Sequence, residues 1–526
     1  MNKDKIYIKT YANNKNLVQQ NIDSINPNWQ ETTKLLALDS DKGDEFGCSV
    51  FIDGDCAIIG AEWDDDNEHS GSAYIFKHNG TTWFQEDKLL SLNGERYDKF
   101  GCAVSFDGDY AIIGAYYDEE HGTCSGSAYI FKRNGTTWYQ EAKLYSSNCG
   151  ICDYFGCSVS IDGDYAIIGS LGGGPKGGAA YIFKRNGTTW FEEIKLIPPD
   201  QTYADLFGRS VYMDGDYLIV GADGHNDDAG AAYVYKYNGT TWSLQDKLFA
   251  SDFELGESFG ISVSMDGDYA IVGAALDDDN GQKSGSAYIF KRNGSDWIEE
   301  DKLLAFDGAT TDFFGWSVSI DGDYVIIGAP GEYDGYHIGS AYIFKRNGTT
   351  WSQEEKLTAS DGESGNDFGS SVSIHEYNAI IGARLDDANT GSAYIFTKNG
   401  VNLPPESPHI DGSTSGKPNI DYYFSFNATD PNDDSVMYYI DWGDDNSEWT
   451  EYTNSGEEII IKHNWSEEGT YNIIAKVQDI YGAESPEGTL TVEIPRNRAA
   501  YHLMLLRLFE RFPNLLPILQ QLLRLW

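Results

Sequence analysis

Residues 29–35 read Trp29-Gln-Glu-Thr-Thr-Lys34-Leu35, and their position in the chain decides the fold. The same pattern, a tryptophan followed five residues later by Lys-Leu, recurs at Trp83, Trp138, Trp190, Trp242, Trp297 and Trp351, each time closing a repeated unit. The units open on Phe-Gly pairs at Phe46, Phe100, Phe155, Phe207, Phe259, Phe314 and Phe368, so the period runs 54, 55, 52, 52, 55 and 54 residues. A repeat of this size is a propeller or a solenoid. Seven units open but only six close, because after Asn399-Gly400 the seventh gives way to Val401-Asn-Leu-Pro-Pro405. The missing closing segment is the one at residues 29–35. A chain whose first strand completes its last sheet forms a ring, whereas an open solenoid has no reason for that phase and needs polar caps at both ends.

Working outward, each unit predicts four short strands. In the third copy Ser158-Val-Ser-Ile161 turns through Asp162-Gly163 into Tyr165-Ala-Ile-Ile-Gly169, both rich in β-branched residues and bounded by turn formers. A third strand, Ala180 to Arg185, leads through Asn186-Gly187, read as a type I′ hairpin turn, into Thr188 to Leu196. Four antiparallel strands make one blade. The expected architecture is therefore all-β: a seven-bladed propeller over residues 29–400, with residues 29–36 completing the last blade and 1–28 as an N-terminal extension. Closure also removes the sheet edge that invites aggregation.

The Phe-Gly and Ile-Gly-Ala units, as in Phe46-Gly47 with Ile59-Gly60-Ala61 and Phe314-Gly315 with Gly328-Ala329-Pro330, resemble the FG-GAP repeats of integrin α-subunit propellers and their microbial relatives. The resemblance implies an extracellular or cell-surface propeller used for adhesion or ligand binding, often with calcium. Calcium-binding members carry an extended Asp-rich loop between the first two strands. Here that connection is a bare Asp-Gly-Asp, as at Asp107-Gly108-Asp109, with too few oxygens for the six to eight ligands calcium takes. The usual inter-strand calcium loops are thus absent.

Beyond Pro404-Pro405, residues 401–494 contain Tyr438-Tyr-Ile-Asp-Trp442-Gly-Asp-Asp445, His463-Asn-Trp465 and Gly469-Thr-Tyr471. This segment resembles a PKD domain, an immunoglobulin-like β-sandwich, in which Trp442 and Trp465 are expected in the core. The resemblance implies a spacer or weak binding module. Residues 495–526 change character again, with five arginines, one glutamate and many leucines. Polar residues at helical spacing predict a short amphipathic helix, either an interfacial anchor or a helix packed on the protein's own domains. The longest charge-free run, Phe512 to Leu523, holds two prolines and falls short of the ~20 residues that span a bilayer.

The net charge of −46 argues against nucleic acid as a partner, since one polyanion repels another. Much of the acid has an address. In a propeller, the loops from strand two to strand three and the connections from strand four to the next blade share one face. The first kind of loop carries Asp64, Asp65 and Asp66, then Asp118 and Glu119, Asp227 and Asp228, Asp277, Asp278 and Asp279, and Asp386 and Asp387. The second kind adds Asp39, Asp41, Asp44 and Asp367. These acids are candidates for capturing a protein or glycan ligand, and the bland alternative is solvated loops.

Seven cysteines lie between positions 48 and 157. Cys48, Cys102 and Cys157 share a slot that later copies fill with Arg209, Ile261, Trp316 and Ser370, which suggests packed thiols. His121, Cys124, Cys149 and Cys152 have a spacing that zinc can use. The competing account is a disulfide from Cys124 to Cys149 or Cys152. His69, His225 and His337 join His121 in the same loops, yet no nucleophile stands at a recognisable spacing from a base, which argues against an enzyme. The expectation is a surface or secreted recognition protein. The alternatives are a carbohydrate-processing enzyme with its site on the same face and a purely structural surface protein. Residues 1–9 hold no apolar core of secretory-signal length, so the route of export stays open.

Overall fold

The computed structural model describes residues 29–495 except 65–69, 149, 173–176, 253, 332–337, 399–402, 433 and 481, together with residues 507 and 511. The N-terminal extension and almost all of the tail in which an amphipathic helix is expected lie outside the described residues. The chain divides into two compact units, Met1–Gly400 and Val401–Trp526.

The first unit is seven four-stranded antiparallel sheets arranged as the blades of a propeller. Blade five shows the pattern: Phe259–Asp266, Tyr269–Ala274, Ser286–Asn293 and Asp296–Leu303 pair in sequence order. Blade seven takes Phe368–His375, Asn378–Ala383 and Ser392–Lys398 from one end of the unit and Trp29–Leu35 from the other. Trp29 stands opposite Lys398 and Leu35 opposite Ala393, with a register shift between Glu31 and Thr33. The six other blades have the same shift in their fourth strand, for example around Glu86 in blade one, where Gln85 and Asp87 face Phe76 and Ile75. The clasp thus copies its equivalents down to the β-bulge that re-aims one side chain.

Second strands are buried along most of their length, because each is covered on both faces by neighbouring blades. One inter-blade core joins Ile219 and Val234 of blade four to Phe259, Val263, Met265 and Val272 of blade five. Each such side chain contributes about 1.5–3 kcal/mol by leaving water. The Phe of every Phe-Gly pair meets the third-strand tyrosine edge to face, as Phe100 does Tyr129 at 5.2 Å between centroids. The motif glycines sit where blades touch most closely. Gly101 has φ +95°, and a Cβ there would lie 2.1 Å from the Ser72 carbonyl oxygen, while one on Gly60 would lie 1.9 Å from the Gly101 oxygen. Only glycine fits both places.

The hairpin reading needs one correction. Asn186 is the last ladder residue, paired with Thr189, so the central turn residues are Gly187 and Thr188. Among them only Gly187 has positive φ, at 68°. This is the sign pattern of a type II′ turn rather than type I′, with glycine alone taking the left-handed position.

The second unit packs two antiparallel sheets. One contains His409–Gly412, Tyr422–Asn427 and Ile459–His463, and the other Ser447–Trp449, Val436–Asp441, Gly469–Asp479 and Gly488–Ile494. Trp442 and Trp465 lie in its core with Phe424, Phe426 and Tyr438, and the His463 ring stacks on Trp442 at 4.4 Å.

Candidate functional site

On the face formed by the strand-two-to-three loops and the blade-to-blade connections, most blades build the same polar brace. In blade five the Tyr288 hydroxyl donates to Asp252 at 2.9 Å and to Asp277 at 3.0 Å, while Lys302 Nζ reaches Asp252, Asp277 and Asp279 at 2.6, 2.8 and 2.7 Å. Asp252 enters from the blade-four connection and Asp277 from blade five's own loop, so tyrosine and lysine staple one to the other. Blade one repeats this with Tyr74, Lys88, Asp39 and Asp64, and blade seven with Tyr394, Lys34, Asp361 and Asp386. Lys34 belongs to the clasp strand, so the brace also fastens the ring. Burial favours the neutral lysine, but the hydrogen bonds from Lys34 to Asp361 and Asp386 outweigh it and hold the ammonium above its ordinary range. Asp118 shows the converse: burial would raise it, yet Lys143 and the Glu120 N–H keep it below the usual carboxylate range.

The brace sorts the candidate acids. Asp64, Asp118, Asp277 and Asp386 are buried and committed to their lysines and tyrosines. Glu119, Asp227, Asp228, Asp278, Asp279 and Asp387 are exposed on the same loops, and Asp65 and Asp66 lie outside the described residues. Asp118 and Asp277 also accept the N–H two residues on, from Glu120 and Asp279 at 2.9 Å each, the Asx geometry that folds the loop back. The exposed acids are therefore carried on buried ones.

Between them stand apolar residues that the acid pattern does not reveal. Leu38, Leu92, Ile151, Tyr203, Leu255 and Phe306 are 66–85 % exposed, the highest values for large apolar side chains in the described propeller. Each comes from a different blade-to-blade connection. The sequence signal was available, since all six lie in the segment between a Lys-Leu and the next Phe-Gly.

The opposite face carries a second acid ring, unnoticed in the sequence because each member is part of a turn. Asp107, Asp162, Asp214 and Asp266 accept the turn N–H of the next blade, from Gly163, Gly215, Gly267 and Gly322, at 2.6–2.8 Å. Asp321 accepts from Glu376 N–H at 2.6 Å, and His375 of blade seven meets Asp53 of blade one at 2.9 Å. That hydrogen bond raises His375 above its ordinary pKa and lowers Asp53. The ring frames a mouth into the propeller axis, with Phe51, Phe106 and Tyr212 further in.

Of the candidate zinc set, Cys124 and Cys152 come together on facing segments, where Cys152 N–H donates to the carbonyl of Thr123 and Tyr154 N–H to that of Cys124. His121 is exposed, its ring packed on Tyr145 at 4.2 Å, and Cys149 lies outside the described residues. Among the described residues, no group of three or more His, Cys, Asp and Glu side chains is placed to hold a metal ion. His225 is buried between Asp205 and Lys247 at 3.0 and 2.8 Å, and His69 and His337 lie outside the described residues. Cys48, Cys102 and Cys157 are packed thiols directed at the carbonyls of Gly101, Gly156 and Gly208. Burial pushes the Cys157 thiol up to about 11.

The FG-GAP repeat family matches this chain seven times, at residues 29–76, 83–131, 138–183, 190–235, 242–290, 297–344 and 351–396. The chain belongs to the FG-GAP repeat family. No curated protein matches it. Among solved structures, the PKD domain of an M14-like peptidase from a Thermoplasmatales archaeon is 44% identical over 18% of this chain and 100% of that one, with a TM-score of 0.18. The fibronectin(III)-like modules of Clostridium thermocellum CbhA are 17% identical over 34% of this chain and 88% of theirs, with a TM-score of 0.14.

Proposed function

We propose that this is a cell-surface or secreted recognition protein whose propeller takes a protein or glycan ligand on the face of the blade-to-blade connections. The sandwich acts as a PKD-like spacer, and the arginine- and leucine-rich tail associates with a membrane surface. The observation that carries the reading is that each of six connections carries a large apolar side chain 66–85 % exposed, interleaved with exposed carboxylates. Side chains that folding leaves uncovered on one face, beside polar groups held in place by buried partners, have the composition of a binding patch. Aliphatic and aromatic side chains can cover the apolar faces of sugars or a protein's own patch, and the acids accept hydrogen bonds at the rim. The reading assigns the protein no catalysis and requires no metal.

A glycan array and a panel of extracellular-matrix proteins, probed with the full chain in calcium and in chelator, test this. Binding of intact ligand that drops at least tenfold in a Leu92→Ser, Tyr203→Ser, Phe306→Ser variant of unchanged melting temperature supports the reading. Binding that the triple variant retains removes this face from it, and release of a cleaved glycan makes the protein an enzyme instead.

A further inference from the structure

We propose that Cys124 and Cys152 are a redox site: a dithiol that closes to a disulfide and latches the blade-two loop to the connection entering blade three. The seven repeats supply the comparison. At the blade-two-to-three joint, Cys152 N–H donates to Thr123 O at 2.8 Å, Tyr154 N–H to Cys124 O at 3.0 Å and Phe155 N–H to Ser125 O at 3.1 Å. At the blade-five-to-six joint, Thr311, Phe313 and Phe314 donate to Gln282, Lys283 and Ser284 at 2.8, 3.1 and 3.0 Å. The backbone conformations also agree, with φ 53° and 57° at Cys124 and Cys152 against 56° and 68° at Lys283 and Thr311. Asp228 with Gly256 and Asn389 with Gly43 fill the same two slots at other joints. The ladder therefore forms whatever side chains flank it, and cysteine is not needed for it.

Left-handed backbone favours glycine, asparagine and aspartate, and cysteine has no preference for it. Two cysteines nevertheless occupy facing slots of one joint, bracketed by the backbone bonds of Cys152 to Thr123 and Tyr154 to Cys124. Cys124 is buried and Cys152 half-buried, so Cys152 is the thiol that solvent reaches.

The chemistry needs an oxidant, a low-molecular-weight disulfide such as oxidised glutathione. The Cys152 thiolate attacks one sulfur of the oxidant and releases one thiol, leaving a mixed disulfide. Cys124, losing its proton, attacks the Cys152 sulfur, and the second thiol leaves. Two cysteine thiols are oxidised by two electrons and one disulfide is reduced to two thiols. Burial pushes the Cys124 thiol up, which makes it the slower, resolving partner. The latch ties down the segment carrying Glu119 on one side and Ile151 on the other.

Oxidation of the full chain with glutathione disulfide, followed by non-reducing peptide mapping, tests the pairing. The expected product is a linked peptide pair containing Cys124 and Cys152, two hydrogens lighter than the sum, formed equally by a Cys149→Ser variant. Complete alkylation of both thiols after oxidation, glutathione retained on Cys152 without the link, or a link that runs through Cys149 overturns it. Hydrogen exchange reads the latch separately. Amides of residues 119–126 and 150–155 exchange at least threefold more slowly after oxidation in the parent protein and at an unchanged rate in Cys124→Ser. Equal rates in oxidised and reduced parent overturn the latch.

Discussion

On one face of the propeller Asp277 accepts from a tyrosine hydroxyl, a lysine and a backbone N–H; on the other Asp266 accepts a backbone N–H from the next blade. Both faces are rings of aspartate, and by composition they are alike. The difference lies in what surrounds each carboxylate. On the loop face the charge is buried and the protein supplies its own cation, placing Lys302 Nζ where a bound metal ion would otherwise balance Asp252, Asp277 and Asp279. On the turn face the carboxylates stay near solvent and serve as inter-blade hydrogen-bond acceptors. Acid density alone therefore says nothing about ligand binding, and what matters is which carboxylates remain uncommitted.

Breaking a brace tests this difference most severely. Lys302→Met leaves Asp277 buried without its counter-charge, which costs about 3 kcal/mol and lowers the denaturation midpoint accordingly. A loss below about 1 kcal/mol in urea unfolding would show that the brace is not what holds the loop face.

A smaller effect, of opposite sign, comes from two acids that burial holds partly protonated. Asp98 is raised to about 6 by burial against the Glu95 N–H, with Asp118, Lys143 and Glu95 adding charge effects. Glu257 is raised to about 7 by burial, with Asp277, Asp252, Lys302 and Glu254 around it. A raised carboxylate binds its proton more tightly folded than unfolded. Its contribution is fully present below the ordinary pKa of about 4 and is lost as pH rises through the folded value. The lysine-paired acids, such as Asp39 and Asp252, have lowered values and work in the other direction, with stability present above about 4 and lost in acid. An Asp98→Asn, Glu257→Gln variant is therefore expected to gain about 1–2 kcal/mol at pH 8 and nothing at pH 4. A gain equal at both pH values would sink the assignment.

How much of this could be read in the sequence follows from how local each signal is. The ring was legible because Trp29 to Leu35 and its six relatives can be counted. The braces were legible in part. An aspartate stands five residues after the strand-four lysine in five copies, at Asp39, Asp200, Asp252, Asp307 and Asp361, and the third-strand tyrosine recurs in all seven. Yet Asp39 pairs with Lys88, 49 residues away, and not with Lys34 beside it. The partner lies in the next blade, a relation that the packing of adjacent blades creates. The same holds for the turn face, where Asp162 was read as a hairpin residue while its acceptor role belongs to the neighbouring blade. The sequence offered Cys124 a zinc site or a disulfide to Cys149 or Cys152, and only the fold shows that Cys124 and Cys152 lie on facing segments of one joint.

On the turn face, Asp266→Ala removes one acceptor from the Gly322 N–H in a solvent-reached position, and the loss is about 1 kcal/mol. Urea unfolding compared with Lys302→Met then reads the two faces on one scale. A cost equal to that of the lysine variant would mean that the turn ring, too, is a buried electrostatic unit.

The smallest stability effect belongs to the acids that the loop face leaves uncommitted. Glu119 and Asp278 are exposed at equivalent positions of blades two and five, each one residue beyond a buried aspartate, and Asp278 accepts from the Lys283 N–H within its own loop. Glu119→Gln with Asp278→Asn is expected to change stability by less than about 0.5 kcal/mol, because no buried charge loses its partner. If recognition uses this face, the same pair weakens ligand binding by a fewfold or more, so stability and binding separate where in Lys302→Met they fall together. A double variant that loses stability by more than 1 kcal/mol would place these carboxylates in the brace, and the distinction between committed and uncommitted acid would fail at the residues chosen to show it.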